Sequence, residues 1–179
     1  DDLDIYHSTT GNHSYIHETG GGDLILKGAN VVIHGTDGGK LAQFSNQTWA
    51  GLFYNNGEKL RTSSTGITIT GTAVATTDTD TTNTGSVTLD FATNQNFVLT
   101  LTGNVTLANP STEQVGQSGF IAFIQDGTGS RTVSLGTDYE TAAAAGLTLT
   151  ATASATDLVP YLVVASNRIL LGTPQLAFA

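Results

Sequence analysis

The chain contains no cysteine. Disulfides, zinc–thiolate centres and thiol nucleophiles are therefore excluded. It contains no methionine either and opens on Asp1, so it is expected to be a processed product or a piece of a longer protein whose anchoring region precedes it. Charge is scarce, with charged residues at 12% against about 25% in ordinary globular domains. Only 6 Lys and Arg stand against 15 Asp and Glu, for a net charge of −9. Nucleic acid is excluded as a partner, because counterion displacement needs clustered cations. An anionic membrane surface is disfavoured on the same ground. No apolar run approaches the roughly 18 residues that span a bilayer, and no secretory signal pattern opens the chain. Helical periodicity is nearly missing as well: only Glu140–Ala145 reads as one helical turn or a loop, stopped by Gly146.

What fills the space is Thr and Gly, with 21 Gly among 179 residues. Short strands bounded by Gly, Asn and Asp run through the whole chain. Up to residue 75 the segments Leu3–His7, Ser14–Glu18, Asp23–Lys27, Asn30–His34, Lys40–Ser45, Trp49–Tyr54, Glu58–Thr62 and Gly66–Thr70 alternate with turns such as Thr10–Asn12, Asp37–Gly39 and Asn55–Gly57. These turns supply residues that reach positive φ cheaply. The pattern is that of a β-meander with too few large apolar residues to enclose a core alone. Burying its stripes against two further copies would solve this, so residues 1–75 are expected to form a trimeric fibre stem.

Residues 76–85 are Thr, Asp, Asn and Gly without one large apolar side chain and read as a linker or neck. Residues 86–179 are richer in apolar alternation. Val87, Leu89 and Phe91, then Phe97, Leu99 and Leu101, then Val105 and Leu107 each imply one buried face. Phe120–Ile124 is apolar on both faces and marks a central strand. Arg131–Leu135, Leu147–Thr150, Leu158–Val164, Ile169–Leu171 and Leu176–Phe178 follow. The set suits a jelly-roll-like or Greek-key β-sandwich, with Pro160 pointing to an edge position or a bulge.

Few residues carry chemistry. His7, His13, His17 and His34 read as exposed strand histidines; the alternative is metal ligation on a three-fold axis, where one His per chain becomes three. Asp78, Asp80 and Asn83 lack the spacing of a calcium loop and read as solvated. Gln117-Ser118-Gly119 does not complete a nucleophile elbow, and Gly127-Thr128-Gly129 closes a turn rather than a phosphate loop. Paired carboxylates, Glu18 with Asp23 or Asp138 with Glu140, would be needed for glycan cleavage, but the chain is too short for the long grooved β-helix of a depolymerase. No enzyme activity, cofactor or metal is expected. The remaining candidates are aromatic: Tyr6, Tyr15, Trp49, Tyr54, Tyr139 and Tyr161 could stack on sugars. Tyr139, Tyr161 and Trp49 are the named candidates for surface recognition, with Trp49 also readable as a packing residue between chains.

Asp2–His7, Tyr15–Thr19 and Gly22–Lys27, with Lys59–Thr62 and Gly66–Thr70, resemble repeats in tail-fibre and related structural proteins of marine bacteriophages. Asn104–Pro110, Gly116–Gly119 and Ile124–Val133 are similar to a small β-domain at the C-terminal end of many phage fibres. The resemblance implies a virion protein, a homotrimer and a role in attachment to the host surface. Its implied partners are two further copies, other virion proteins through a preceding region, and a host glycan or protein. A capsid decoration or head-fibre protein, and a secreted bacterial adhesin or filament subunit, are the alternatives.

Overall fold

The computed structural model describes residues 3–10 and 12–178. Asp1, Asp2, Gly11 and Ala179 lie outside them, and with them the centre of the Thr10–Asn12 turn. Two units divide between Ala73 and Val74.

The first unit holds β1 (Leu3–Ser8), β2 (His13–Glu18), β3 (Asn30–His34), β4 (Lys40–Ser45), β5 (Trp49–Tyr54), β6 (Gly57–Ser63) and β7 (Gly66–Ile69). β1 and β2 form a hairpin, and β3 to β7 pair in chain order as a five-stranded antiparallel meander. Asn55 and Asn56, at φ 49° and 60°, close β5 onto β6 in the left-handed geometry that matches strand twist. The expected strand Asp23–Lys27 is not one: the segment has no ladder partner, and Leu24, Ile25 and Leu26 stay exposed, with no burial to draw them into a sheet.

Register decides what each face of the meander carries. Ile33, Ala42, Leu52, Leu60 and Ile69 lie opposite one another across all five strands. Val31, Phe44 and Ala50 form the start of a second row, which Thr62 and Ile67 complete. Both rows share one face, and it is almost wholly apolar. The other face is closed by its own side chains. Trp49 lies over Gly51, where a Cβ would sit 2.9 Å from the indole. The Arg61 guanidinium stacks at 5.2 Å on the ring, and Lys40 lies 5.6 Å from the Phe53 centroid. Ala42 is the unit's sole buried apolar residue among the described ones.

The second unit holds β8 (Thr77–Val87), β9 (Asn96–Leu107), β10 (Ser118–Gln125), β11 (Val133–Leu135), β12 (Tyr139–Thr141), β13 (Thr156–Ala165), β14 (Arg168–Leu171) and β15 (Gln175–Phe178). The sheet order is β11-β9-β10-β13-β14-β12, with β8 on β9 and β15 on β13. Its core is Phe97, Leu99 and Leu101 of β9 against Ile121, Phe123, Val159, Val163 and Ile169, joined by Leu89, Phe91 and Leu107. Phe91 meets Phe97 and Tyr161 edge-on at 5.0 and 5.3 Å, a favoured aromatic geometry.

The chain is all-β, as its periodicity predicts. Within that class the strand order departs from a Greek key of hairpins. β9 runs parallel to β8, β10 and β11, and β12 runs parallel to β14. Parallel neighbours need crossovers, and the one after β8 carries Leu89 and Phe91 into the core, so these alternate and are buried without belonging to a strand. Leu147–Thr150 likewise packs without a ladder.

The linker expectation for 76–85 gives way to β8. A strand of Thr and Asp suffices here because β8 pairs only with β9, and an edge strand needs little apolar content. Where the β8–β9 register slips around Asn83, the buried Asn83 amide donates to the carbonyls of Asp80 and Thr100, both at 3.1 Å. Pro160 is neither at an edge nor in a bulge. β13 pairs with β10 on one side, and Pro160 falls where its other neighbour changes: Leu158 pairs with Gln175 of β15, and Tyr161 with Leu171 of β14. A missing N–H costs little at such a seam.

Candidate functional site

The named aromatics occupy three different environments, and two of them are closed to a ligand. Tyr161 is buried at 4% exposure. Its hydroxyl donates to the Gln95 carbonyl at 2.6 Å, and burial pushes its pKa up to about 12. Tyr139 is buried at 5% exposure, because odd positions of β13 and β14 and the start of β12 face the interior. Its hydroxyl makes no hydrogen bond. Burial first, then the negative Asp138 and Glu113, hold that hydroxyl far above its ordinary titration range. Both tyrosines are core residues, which corrects their assignment to surface recognition. Trp49 is half-buried under Arg61 and beside Phe53, so its ring is occupied from within its own sheet.

The exposed aromatic pair is instead Tyr6 and Tyr15. They lie opposite each other in the β1–β2 register and stack at 5.0 Å with rings inclined by 21°. The His13 ring meets Tyr15 edge-on at 6.2 Å. His7 is held by Ser14 Oγ and Asn12 Oδ1, each at 3.1 Å from a ring nitrogen, and His34 Nδ1 donates to the Gly38 carbonyl at 2.8 Å. Among the described residues, no three His, Asp or Glu side chains converge as metal ligands would. Asp80 instead accepts the Thr82 N–H at 3.1 Å.

An open cleft of 660 Å³ lies in the second unit between β11, β12 and the turn that follows β12. Ser134, Glu140 and Thr141 give it polar edges, and Leu135 and Leu147 its apolar floor. A smaller cleft of 300 Å³ shares Thr141, Ala145, Gly146 and Leu147 and extends to Pro174 and Leu176. The wall between them is the Ala142–Ala144 turn. It is a 3-10 turn in hydrogen bonding, but Ala143 and Ala144 sit at φ 56° and 54°, left-handed conformations that cost an alanine about 1 kcal/mol each. Glu140 is not free to act beside Asp138: Arg168 grips it through two bonds of 2.8 and 3.0 Å and holds its carboxyl below the usual range.

Two polar features that hold the unit together resemble sites without being ones. Around Asp126–Gly129, the buried Gln125 amide clasps the backbone of Arg131, donating to its carbonyl at 2.9 Å and accepting its N–H at 2.8 Å. Asp126 accepts from Thr128 and Gly129 and pairs with the Arg131 guanidinium at 2.8 Å. Asp157, 1% exposed, accepts three bonds: Thr150 N at 2.6 Å, Thr150 Oγ1 at 2.8 Å and Ala177 N at 2.9 Å. Sequence reasoning missed it, since a lone Asp between Thr156 and Leu158 signals nothing. Gln117 spans Phe91 and Asn94 carbonyls, consistent with the reading of its segment as a turn.

Residues 75–165, slightly more than half of the chain and the span from the start of β8 to the end of β13, match the family described as "Putative phage tail fibre C-terminal domain". The chain belongs to this family, and so to the components of phage virions. No curated protein and no solved structure matches it.

Proposed function

We propose that the chain is a segment of a homotrimeric phage tail fibre that mediates attachment to the host surface, of the kind that the N-terminal repeats resemble in marine phages. The family match over residues 75–165 carries this reading, and the uncovered apolar face of the meander supports association with further copies. Host contact falls to exposed surface, with the Tyr6–Tyr15 stack and the 660 Å³ cleft as the places where a glycan or protein would find aromatic and polar groups together. A weak contact repeated three times on one fibre gains strongly in avidity. No catalytic role is assigned: Glu140 is committed to Arg168 and Asp157 to backbone amides.

The test is adsorption. Purified chain added to host cells should compete with the parent phage for attachment, and light scattering should give three times the 18.5 kDa chain mass. A monomer that leaves phage adsorption untouched would end the proposal. Release of reducing ends from capsular polysaccharide would overturn the non-catalytic assignment.

A further inference from the structure

We infer that Asn56 is a site of spontaneous modification, at which the side-chain amide is lost and aspartate or isoaspartate takes its place. Asn56 is the chain's sole asparagine followed by glycine. It stands exposed beside Asn55 at the tip of the β5–β6 hairpin, at φ 60°. The nucleophile is the main-chain nitrogen of Gly57, and the electrophile is Asn56 Cγ. Gly57 has no side chain to screen that nitrogen. A Cβ built there would meet only the Tyr54 carbonyl oxygen beyond its own neighbours, at 3.3 Å. Gly57 also pairs with Tyr54 at the very end of the ladder, where fraying frees the nitrogen without opening the sheet.

One contact primes the side-chain carbonyl. The Lys40 main-chain N–H donates to Asn56 Oδ1 at 2.7 Å. A donor so placed draws electron density from Cγ and stabilises the oxyanion that forms when nitrogen adds. Attack forms the bond from Gly57 N to Asn56 Cγ. The Cγ–Nδ2 bond then breaks, and ammonia leaves carrying the Gly57 proton. Water opens the resulting cyclic imide at either of its carbonyls, giving aspartate or isoaspartate with no oxidant or reductant. Each event takes the net charge one unit below −9. Two other asparagines show the contrast. Buried Asn83 is bound through Nδ2 to the carbonyls of Asp80 and Thr100. Asn109 precedes Pro110, whose nitrogen has no proton to give up. Of the two products at position 56, aspartate keeps an oxygen for the Lys40 N–H. Isoaspartate routes the main chain through the side-chain carbon and breaks the two-residue turn.

The test is ageing of the full folded chain in mildly alkaline buffer. Intact mass should rise by about 1 Da per chain, and the shift should map to the peptide that holds Asn56. The rate should climb in proportion to hydroxide, because attack needs the Gly57 nitrogen deprotonated. G57A, whose Cβ meets only the Tyr54 oxygen, should keep the parental circular dichroism and age at least about ten-fold more slowly. N56Q, which would have to close a larger ring, should hold its mass whether or not G57A folds. Isoaspartyl methyltransferase should label the aged parent and leave N56D unlabelled. Exchange of the Lys40 amide should quicken in the isoaspartate fraction and stay slow in N56D. A parent that keeps its mass through prolonged incubation, a shift that maps to another asparagine, or an N56Q chain that ages at the parent's rate would overturn the inference.

Discussion

At the scale of single residues, stability of the second unit rests on buried polar groups whose partners are mostly main chain. Asp157 gathers the 150 region and β15 onto β13 through three bonds. D157A strands two N–H groups and should cost about 3 kcal/mol in urea unfolding. Tyr161→Phe deletes the bond to the Gln95 carbonyl and should cost about 1 kcal/mol by the same measurement. Asp126 supplies a pH test. Arg131 and the Gly129 N–H hold its pKa at about 2, below the ordinary 3.8. A carboxylate depressed by folding stabilises above its unfolded pKa and loses that contribution as pH falls. D126N should therefore melt below the parent near neutrality, and the gap should close as pH drops from 3.8 through about 2. Little of this was legible beforehand. The Asp126–Gly129 turn declared itself by composition, but an inward Asp or Tyr looks the same in a sequence as an outward one. Asp157, Tyr139 and Tyr161 therefore needed coordinates.

At the scale of elements, legibility follows burial. Strands with one wet face, such as β4, β5 and β9, alternate visibly and are bounded by turn residues. β8 does not alternate in hydrophobicity, because an edge strand is chosen by β-branched Thr and by its neighbour's open ladder. The Asn83 amide that mends its slipped register should matter accordingly. N83A leaves the Asp80 and Thr100 carbonyls without that donor, and should cost about 2 kcal/mol, with faster amide exchange concentrated in β8. The Ala142–Ala144 turn was half-legible: the alanines favoured a helical turn, and Gly146 stopped it, but nothing announced left-handed alanines. Replacing Ala143 and Ala144 by Gly removes the Cβ conflict and should raise the melting temperature, with about 1 kcal/mol gained per site.

At the scale of the whole molecule, two units built from one composition differ in what encloses them. The sequence pattern of the meander foretold a thin interior, because its apolar residues are sparse and fall in step across strands. It could not foretell that the opposite face would be closed by Trp49, Arg61, Lys40 and Phe53, since cation–ring contacts depend on register. If the proposed trimer associates through the uncharged rows of the meander, it should resist ionic strength. The assembled mass should persist in about 1 M NaCl, where contacts between charges are screened within about 3 Å, and a fall to monomer there would mean that ion pairs hold the copies together.

The contrast between the enclosed interior after Val74 and the single buried Ala42 before it also sets an order of events in time. On the trimer proposed above, residues from Val74 onward reach their native state at any dilution, whereas the meander waits for an encounter. Refolding should accordingly split into a first phase whose rate ignores chain concentration and a second that accelerates with it. A protease added between the two should leave a fragment beginning near Val74.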